Sequence, residues 1–406
     1  MVETPRARSR AGHDLAPLYI VTFLAAAANG VVFPLLADLQ DAHDLPTYGL
    51  GIISAASFLT ALFAQLALAG QADRGRAKTL LIAGLALSFV SLVMFAISTE
   101  LWQFTLARAM SGLAIGCMWP ATRSIIARLD ADHVGRNLGR LASMELGGFV
   151  TAPVLGAAVA KAFGLDAPFW LLAAVMLVAL VALARRPVPG AAPGFDAAAP
   201  RSVSLDLLRY REVVVASILA LALFMPVGIY DSLWSRYLQD RGASTLFIGV
   251  TLALYGVPFI LLASRGGRLA DRVGPFRAAF VCLVLIAPVI AVYGLFTVPI
   301  VIVSFAIIEA VIQAVAVPAS QAAMAQACPP ERLAAGQGLA GAAGQLGAGL
   351  MALGAAPVYE ATGSEALFIG AAALTLGLGA IAWVLHSRRT PSAAAPAHQP
   401  VRGSIA

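Results

Sequence analysis

Charge is scarce in this sequence. Only 12% of its 406 residues are Asp, Glu, Lys or Arg, about half the roughly 25% usual in a soluble domain, which excludes a water-soluble enzyme of this length. Cysteine is rarer still: Cys117, Cys282 and Cys328 have no paired or metal-ligand spacing, so they are read as small apolar packing residues. The five histidines, His13, His43, His133, His386 and His398, show no ligand spacing either, and no metal or other cofactor is expected. A Gly-rich loop ending in Lys-Ser or Lys-Thr is also lacking, so nothing cradles ATP phosphates as in a primary pump. Any uphill work must draw on a gradient.

What the sequence does have is apolar length: 60% of it is hydrophobic. At about 20 residues per 30 Å crossing, twelve spans are expected, near 15–37, 48–70, 79–99, 101–122, 140–162, 167–185, 212–235, 245–266, 276–297, 299–323, 334–357 and 365–386. The first resembles a signal peptide at Arg6, Arg8, Arg10 and Ala25 to Ala28, but its apolar run continues through Leu36 and is expected to stay attached.

The net charge of +6 is topological and does not point to nucleic acid. With the N-terminus inside, 23 of the 27 Lys and Arg residues fall in inner segments. Only Lys161, Arg236 and Arg241 fall outside, and Arg108 lies within span 4. That imbalance places both termini on the cytoplasmic side of a cell inner membrane. The organisation expected is a cytoplasmic tail (1–14), a six-helix bundle (15–185), a Pro/Gly-rich cytoplasmic linker (186–211), a second six-helix bundle (212–386) and a disordered tail (387–406).

The halves repeat. Gly30 recurs as Gly228, Gly51 as Gly249 and Asp73-Arg74 as Asp271-Arg272, all 198 residues apart, while Leu146-Gly147 recurs as Leu346-Gly347 at 200. The segment Gly267-Arg268-Leu269-Ala270-Asp271-Arg272-Val273-Gly274 resembles the loop signature of the major facilitator superfamily. Its first-half counterpart keeps Asp73 and Arg74 but has Ala69 and Arg76 where the family has glycine. The resemblance covers about residues 15–386. It implies an all-α membrane protein whose two pseudo-symmetric six-helix bundles rock about a central cavity, with these loops as a cytoplasmic latch.

A charge at the bilayer centre costs about 2.5 to 3.5 kcal/mol on insertion scales and needs a partner or a wet cavity. Arg108, on one stripe with Gly112 and Gly116, lies in a segment similar to the span-4 motif of proton-coupled family members, where the arginine is associated with proton transfer. Gly148, Pro153 and Gly156 of span 5 resemble the motif of drug/proton antiporters, with Ala152 replacing a glycine. Glu309, Asp231 and Glu145 are the candidate proton carriers, and Asp38 is read as interfacial and least informative. Asp231 is also a candidate outer-gate partner of Arg236. Asn29 stands where many drug exporters of this family have an acidic residue in span 1. Asn29, Phe33, Trp119, Tyr230, Trp234, Gln313 and Gln345 are expected to line the cavity.

The expected function is therefore secondary active transport, by proton-coupled export of small, fairly apolar compounds. The expected partners are solute, protons and lipid, and the expected state is monomeric. Transport of a polar metabolite and a non-transporting membrane sensor or assembly protein on the same fold are the alternatives.

Overall fold

The computed structural model describes residues 15–71, 76–129, 134–186, 204–329 and 332–388. Among these there is no strand. The helices are α1 (Ala16–Gly30), α2 (Val32–Ala42), α3 (Thr47–Gln71), α4 (Ala77–Ile97), α5 (Leu101–Leu129), α6 (Val134–Phe163), α7 (Ala167–Arg185), α8 (Arg211–Gln239), α9 (Thr245–Val273), α10 (Pro275–Tyr293), α11 (Pro299–Ala327) and α12 (Leu333–Ser387). A 3₁₀ turn, Ser204–Arg209, precedes α8.

Among the described residues, ten stretches are long and apolar enough to cross a membrane. α1 and α2 together make one of them, Ala16–Ala42. The break between them follows from Pro34, which has no N–H to give the Gly30 carbonyl four residues earlier. α5 is not among the ten; it carries Arg108 and Arg123, which lower its mean hydropathy.

α12 is 55 residues long but is interrupted at Gly363, whose φ of 82° suits glycine. It folds back there. Arg332, just before its start, pairs with Asp206 at 2.9 Å, and His386 at its end lies 2.8 Å from Glu212, both beside the start of α8. Ser364, past the break, accepts from Arg241 just beyond the end of α8. Counting α12 as two and adding α5, the helices are consistent with twelve crossings.

Several helices outrun the apolar runs that announce them. α9 continues to Val273, so Gly267 to Val273 form its last two turns and not a loop; only Gly274, with φ 99°, makes the turn into α10. Charged side chains do not stop a helix once it leaves the hydrocarbon, and Leu, Ala and Arg favour it.

The repeat is physical. A Cβ on Gly30 would lie 3.3 Å from the Phe149 carbonyl oxygen of α6, and one on Gly228 would collide with the Ala348 carbonyl of α12. A Cβ on Gly51 would collide with the Ala352 carbonyl of α12, and one on Gly249 would lie 2.6 Å from the Pro153 carbonyl oxygen of α6. The first two contacts join helices within each bundle, the second two join the bundles, and each pair is related by the same offset. Pro120 and Pro318, also 198 apart, sit inside α5 and α11.

Candidate functional site

α5 brings Arg108 to the interface of the two bundles, where its side chain is 2% exposed. Nη1 donates to Asn29 of α1, at 2.5 Å to Oδ1 and 3.2 Å to the carbonyl. The guanidinium stands 5.2 Å from the Phe33 ring centroid. Nη2 donates to Asp231 Oδ1 of α8 at 2.6 Å, and that carboxylate is 1% exposed. All partners but Asp231 belong to the first bundle. The pair is therefore one buried charge link between the halves, and Asp231 is the acid that Arg108 meets. Arg236 pairs elsewhere.

Close approach makes this geometry accessible. A Cβ on Gly112 would collide with the Ser57 carbonyl of α3, and one on Gly116 would lie 3.1 Å from the Ala61 carbonyl oxygen. The two glycines thus hold α5 close against α3 in the two turns after Arg108, whose long side chain reaches α1 and α8.

Glu309 of α11 is fully buried and lies wholly within the second bundle. Its Oε2 accepts from Tyr230 at 2.7 Å and Tyr293 at 2.5 Å, and Oε1 accepts from Tyr255 at 3.4 Å. Gln313, one turn on, is buried beside it. The Tyr230 ring meets Trp234 edge-on, centroids 5.5 Å apart, and Trp234 Nε1 donates to Thr251 at 3.5 Å. Because Tyr230 precedes Asp231, the tyrosine cage and the Arg108 link abut. Asn29, Phe33, Tyr230, Trp234 and Gln313 thus gather around the two acids. Trp119 stands near the other end of α5, with Arg123 5.5 Å over its ring, and Gln345 is half-buried on the first arm of α12.

Glu145 is paired within the first bundle, 3.2 Å from Arg123. In α6, a Cβ on Gly148 would collide with the Phe23 carbonyl of α1, and one on Gly156 would come 2.6 Å from Val31 Cγ2. Pro153, between them, turns its carbonyl to Gly249 of α9. The antiporter-like segment therefore packs on α1 on one side and on the opposite bundle on the other.

At one end of the molecule a polar contact network ties the bundles together. Asp41 Oδ1 accepts from Arg236 Nη1 at 2.5 Å, and Arg236 Nε is 2.8 Å from Asp240. Asp38 accepts from Gln239 and from Thr245, each at 2.6 Å. Cavities of about 320 and 500 Å³ open here, both against Asp38 and Thr245. Asp38 is thus an inter-bundle residue, which the sequence reading missed. The signal was available: Asp38 and Arg236 are 198 apart, and so are Asp41 and Gln239, so the two pairs cross as contacts about a two-fold axis do.

At the opposite end, Asp271 and Arg272 are exposed, with no ion pair for Asp271 among the described residues. Asp73 and Arg74 lie outside the described residues. Also at this end, Asp206 of the 3₁₀ turn is held below the usual carboxylate range by its hydrogen bond to Arg332.

The sequence profile of the Major Facilitator Superfamily matches residues 18–234 and again 213–405, and the chain belongs to this family. It is thus a multi-pass membrane transporter. Curated relatives include the multidrug resistance protein MdtG of Klebsiella pneumoniae (strain 342), 27% identical over 286 residues, covering 67% of this chain and 69% of the relative. MdtG of Escherichia coli (strain K12 / DH10B) is 27% identical over 295 residues with the same coverage. Among solved structures, the nucleoside transporter NupG superposes with a TM-score of 0.76 at 15% identity, over 93% of this chain and 100% of that one. The human organic anion transporter MFSD10 superposes at 0.65 and 21% identity, over 92% and 99%. At these identities the structural likeness establishes the fold alone.

Proposed function

We propose that this protein is a proton-coupled exporter of small, fairly apolar compounds in the inner membrane of a bacterial-type cell. It works as a monomer with both termini cytoplasmic, and its bundles span 15–185 and 212–386. The observation that carries the reading is the Arg108–Asp231 pair at 2.6 Å, the one ion pair described between the bundles with both side chains buried. The basic-residue partition and the resemblance to MdtG support the orientation and the direction.

In this reading the Asp38 end faces outward and the Asp271 end faces the cytoplasm. The outer end is then tied shut, while the exposed Asp271 is a latch out of engagement. A proton arriving on Asp231 neutralises it and releases its hold on Arg108. Arg108 keeps Asn29 and Phe33, so the charge stays satisfied in the first bundle while the second bundle is freed to rock. Solute binds among Phe33, Tyr230 and Trp234. Asp231 is the coupling acid, and Glu309, with three hydroxyl donors and no cation beside it, shapes the pocket. A polar solute is the second reading, favoured by Asn29 and Gln313 at the same place.

The test uses purified protein in vesicles with an imposed pH gradient, scanning solutes for proton release. Solute-dependent proton flux is expected in the native protein and its loss in Asp231→Asn. Flux that persists in Asp231→Asn overturns the assignment of the coupling acid.

A further inference from the structure

Along α8, Asp231, Ser235 and Gln239 recur at four-residue spacing and so lie on one stripe. They span about 12 Å at 1.5 Å per residue. The stripe faces the first bundle at both its ends, through Arg108 at Asp231 and through Asp38 at Gln239.

The serines of α8 behave differently from one another. Ser217 and Ser232 return their hydroxyls to carbonyls one turn back, at 2.8 Å to Val213 and 2.7 Å to Gly228. Ser235 is 2% exposed, yet its hydroxyl has no hydrogen-bond partner among the described residues. Asp231 Oδ2, one turn back on the same stripe, shares that condition, and Ser54 of α3 brings its hydroxyl to the same carboxylate. Unpaired polar oxygens inside a membrane protein are costly. Two of them one helical turn apart, at Asp231 and Ser235, are suited to sharing bound water. The mouth of the stripe is closed: Gln239 donates to Asp38 beside the cavity of about 500 Å³. Asp41, Arg236 and Asp240 surround that mouth, and Arg108 faces the far end.

We propose that Ser235 and Gln239 form the proton route from the Asp38 end to Asp231, with the Gln239–Asp38 contact as its plug. The inference rests on the proton-coupled reading above. A hydronium from outer water gives its proton through that bound water to Asp231 Oδ2. An O–H bond forms there, water is left behind, and the carboxylate loses the charge that held Arg108. Because Asp38 belongs to the first bundle and Gln239 to the second, separating the bundles at this end removes the plug. The movement that opens the solute pathway outward therefore also admits the proton.

Two measurements test this on the full chain in vesicles, neither needing a known solute. The first follows the carboxylic-acid infrared band after an acid jump, using the part of the band that is lost in Asp231→Asn. Ser235→Ala is expected to lose the fast rise of that band, and Ser232→Ala is expected to keep it. If the native protein has no Asp231-dependent band, the proton-coupled reading fails and the route falls with it. If the band is present and rises equally fast in Ser235→Ala, the route alone is overturned. The second measurement uses a cysteine-free background, with Cys117, Cys282 and Cys328 replaced by alanine, and a charged methanethiosulfonate reagent added at the Asp38 side. Ser235→Cys is expected to react faster than Ser232→Cys, and faster again when Gln239→Ala removes the plug. Equal reactivity at positions 235 and 232 overturns the proposal.

Discussion

Asp231 Oδ1 and Arg108 Nη2 meet at 2.6 Å across the boundary between two bundles, with both side chains at most 2% exposed. Removing either partner strands the other as an uncompensated buried charge, at a cost of about 3–5 kcal/mol. Arg108→Gln and Asp231→Asn are each expected to lower the thermal unfolding midpoint in detergent. The double variant, which leaves no charge, is expected to recover most of the loss. Additive losses in the double variant would show that the two residues do not act as a pair.

Glu309 is expected to answer differently. Glu309→Gln retains a group that fills the tyrosine cage, so solute-driven proton flux should persist. Glu309→Leu leaves the hydroxyls of Tyr230, Tyr255 and Tyr293 without their acceptor, each a penalty of about 1–3 kcal/mol when unsatisfied. It is expected to unfold at lower temperature than Glu309→Gln. Loss of proton flux in folded Glu309→Gln would move the coupling role from Asp231 to Glu309.

The Asp41–Arg236 contact is partly exposed, at 61% and 28%, and such pairs are worth about 0.2–1 kcal/mol. Asp41→Arg is expected to shift the bundles modestly toward opening at this end, read as a longer distance between spin labels on the two halves. Adding Arg236→Asp restores the opposite charges and is expected to return the distance toward the native one. A swap that opens the end further would show that the contact does not hold it.

Close helix contacts predict a sharp contrast between glycines. Gly228→Val meets the Ala348 backbone, which cannot give way as a side chain can, and is expected to cost about 1–3 kcal/mol or more through overpacking. Gly147→Ala places its methyl at an ordinary 3.5 Å from the Phe23 ring and is expected to be tolerated. Expression and unfolding midpoints decide between them.

Asp206 gives a pH prediction with a definite sign. Its carboxyl is held below the ordinary range by Arg332, so the contact contributes fully above about pH 4, the ordinary carboxylate value. It is lost only as pH falls further, through the lowered value. A spin label at Leu205→Cys in the cysteine-free background is expected to stay immobile from neutral pH down to that point and to loosen below it. In Asp206→Asn the label should be loose at every pH.

Much of the architecture was legible without coordinates. Apolar runs set the crossings, because a lipid core accepts only helices with satisfied backbones. The offset of 198 exposed the duplication, and the rarity of charge marked Arg108, Asp231 and Glu309 as residues needing partners. Helix ends were less legible: α9 runs past its apolar segment, and α12 hides two crossings in one assignment, since hydropathy reports the membrane edge and not where a helix stops.

Which charges meet was decided only by the tertiary structure. Arg108 lies 123 residues from Asp231, and the hydroxyls around Glu309 come from three helices. Such pairings depend on how each helix is turned about its axis and on how the bundles dock, and hydropathy is indifferent to both. Asp38 shows the difference most plainly. By composition it is an acid at a helix end; by position it faces its own repeat partner's neighbour, Gln239, across the interface of the two bundles.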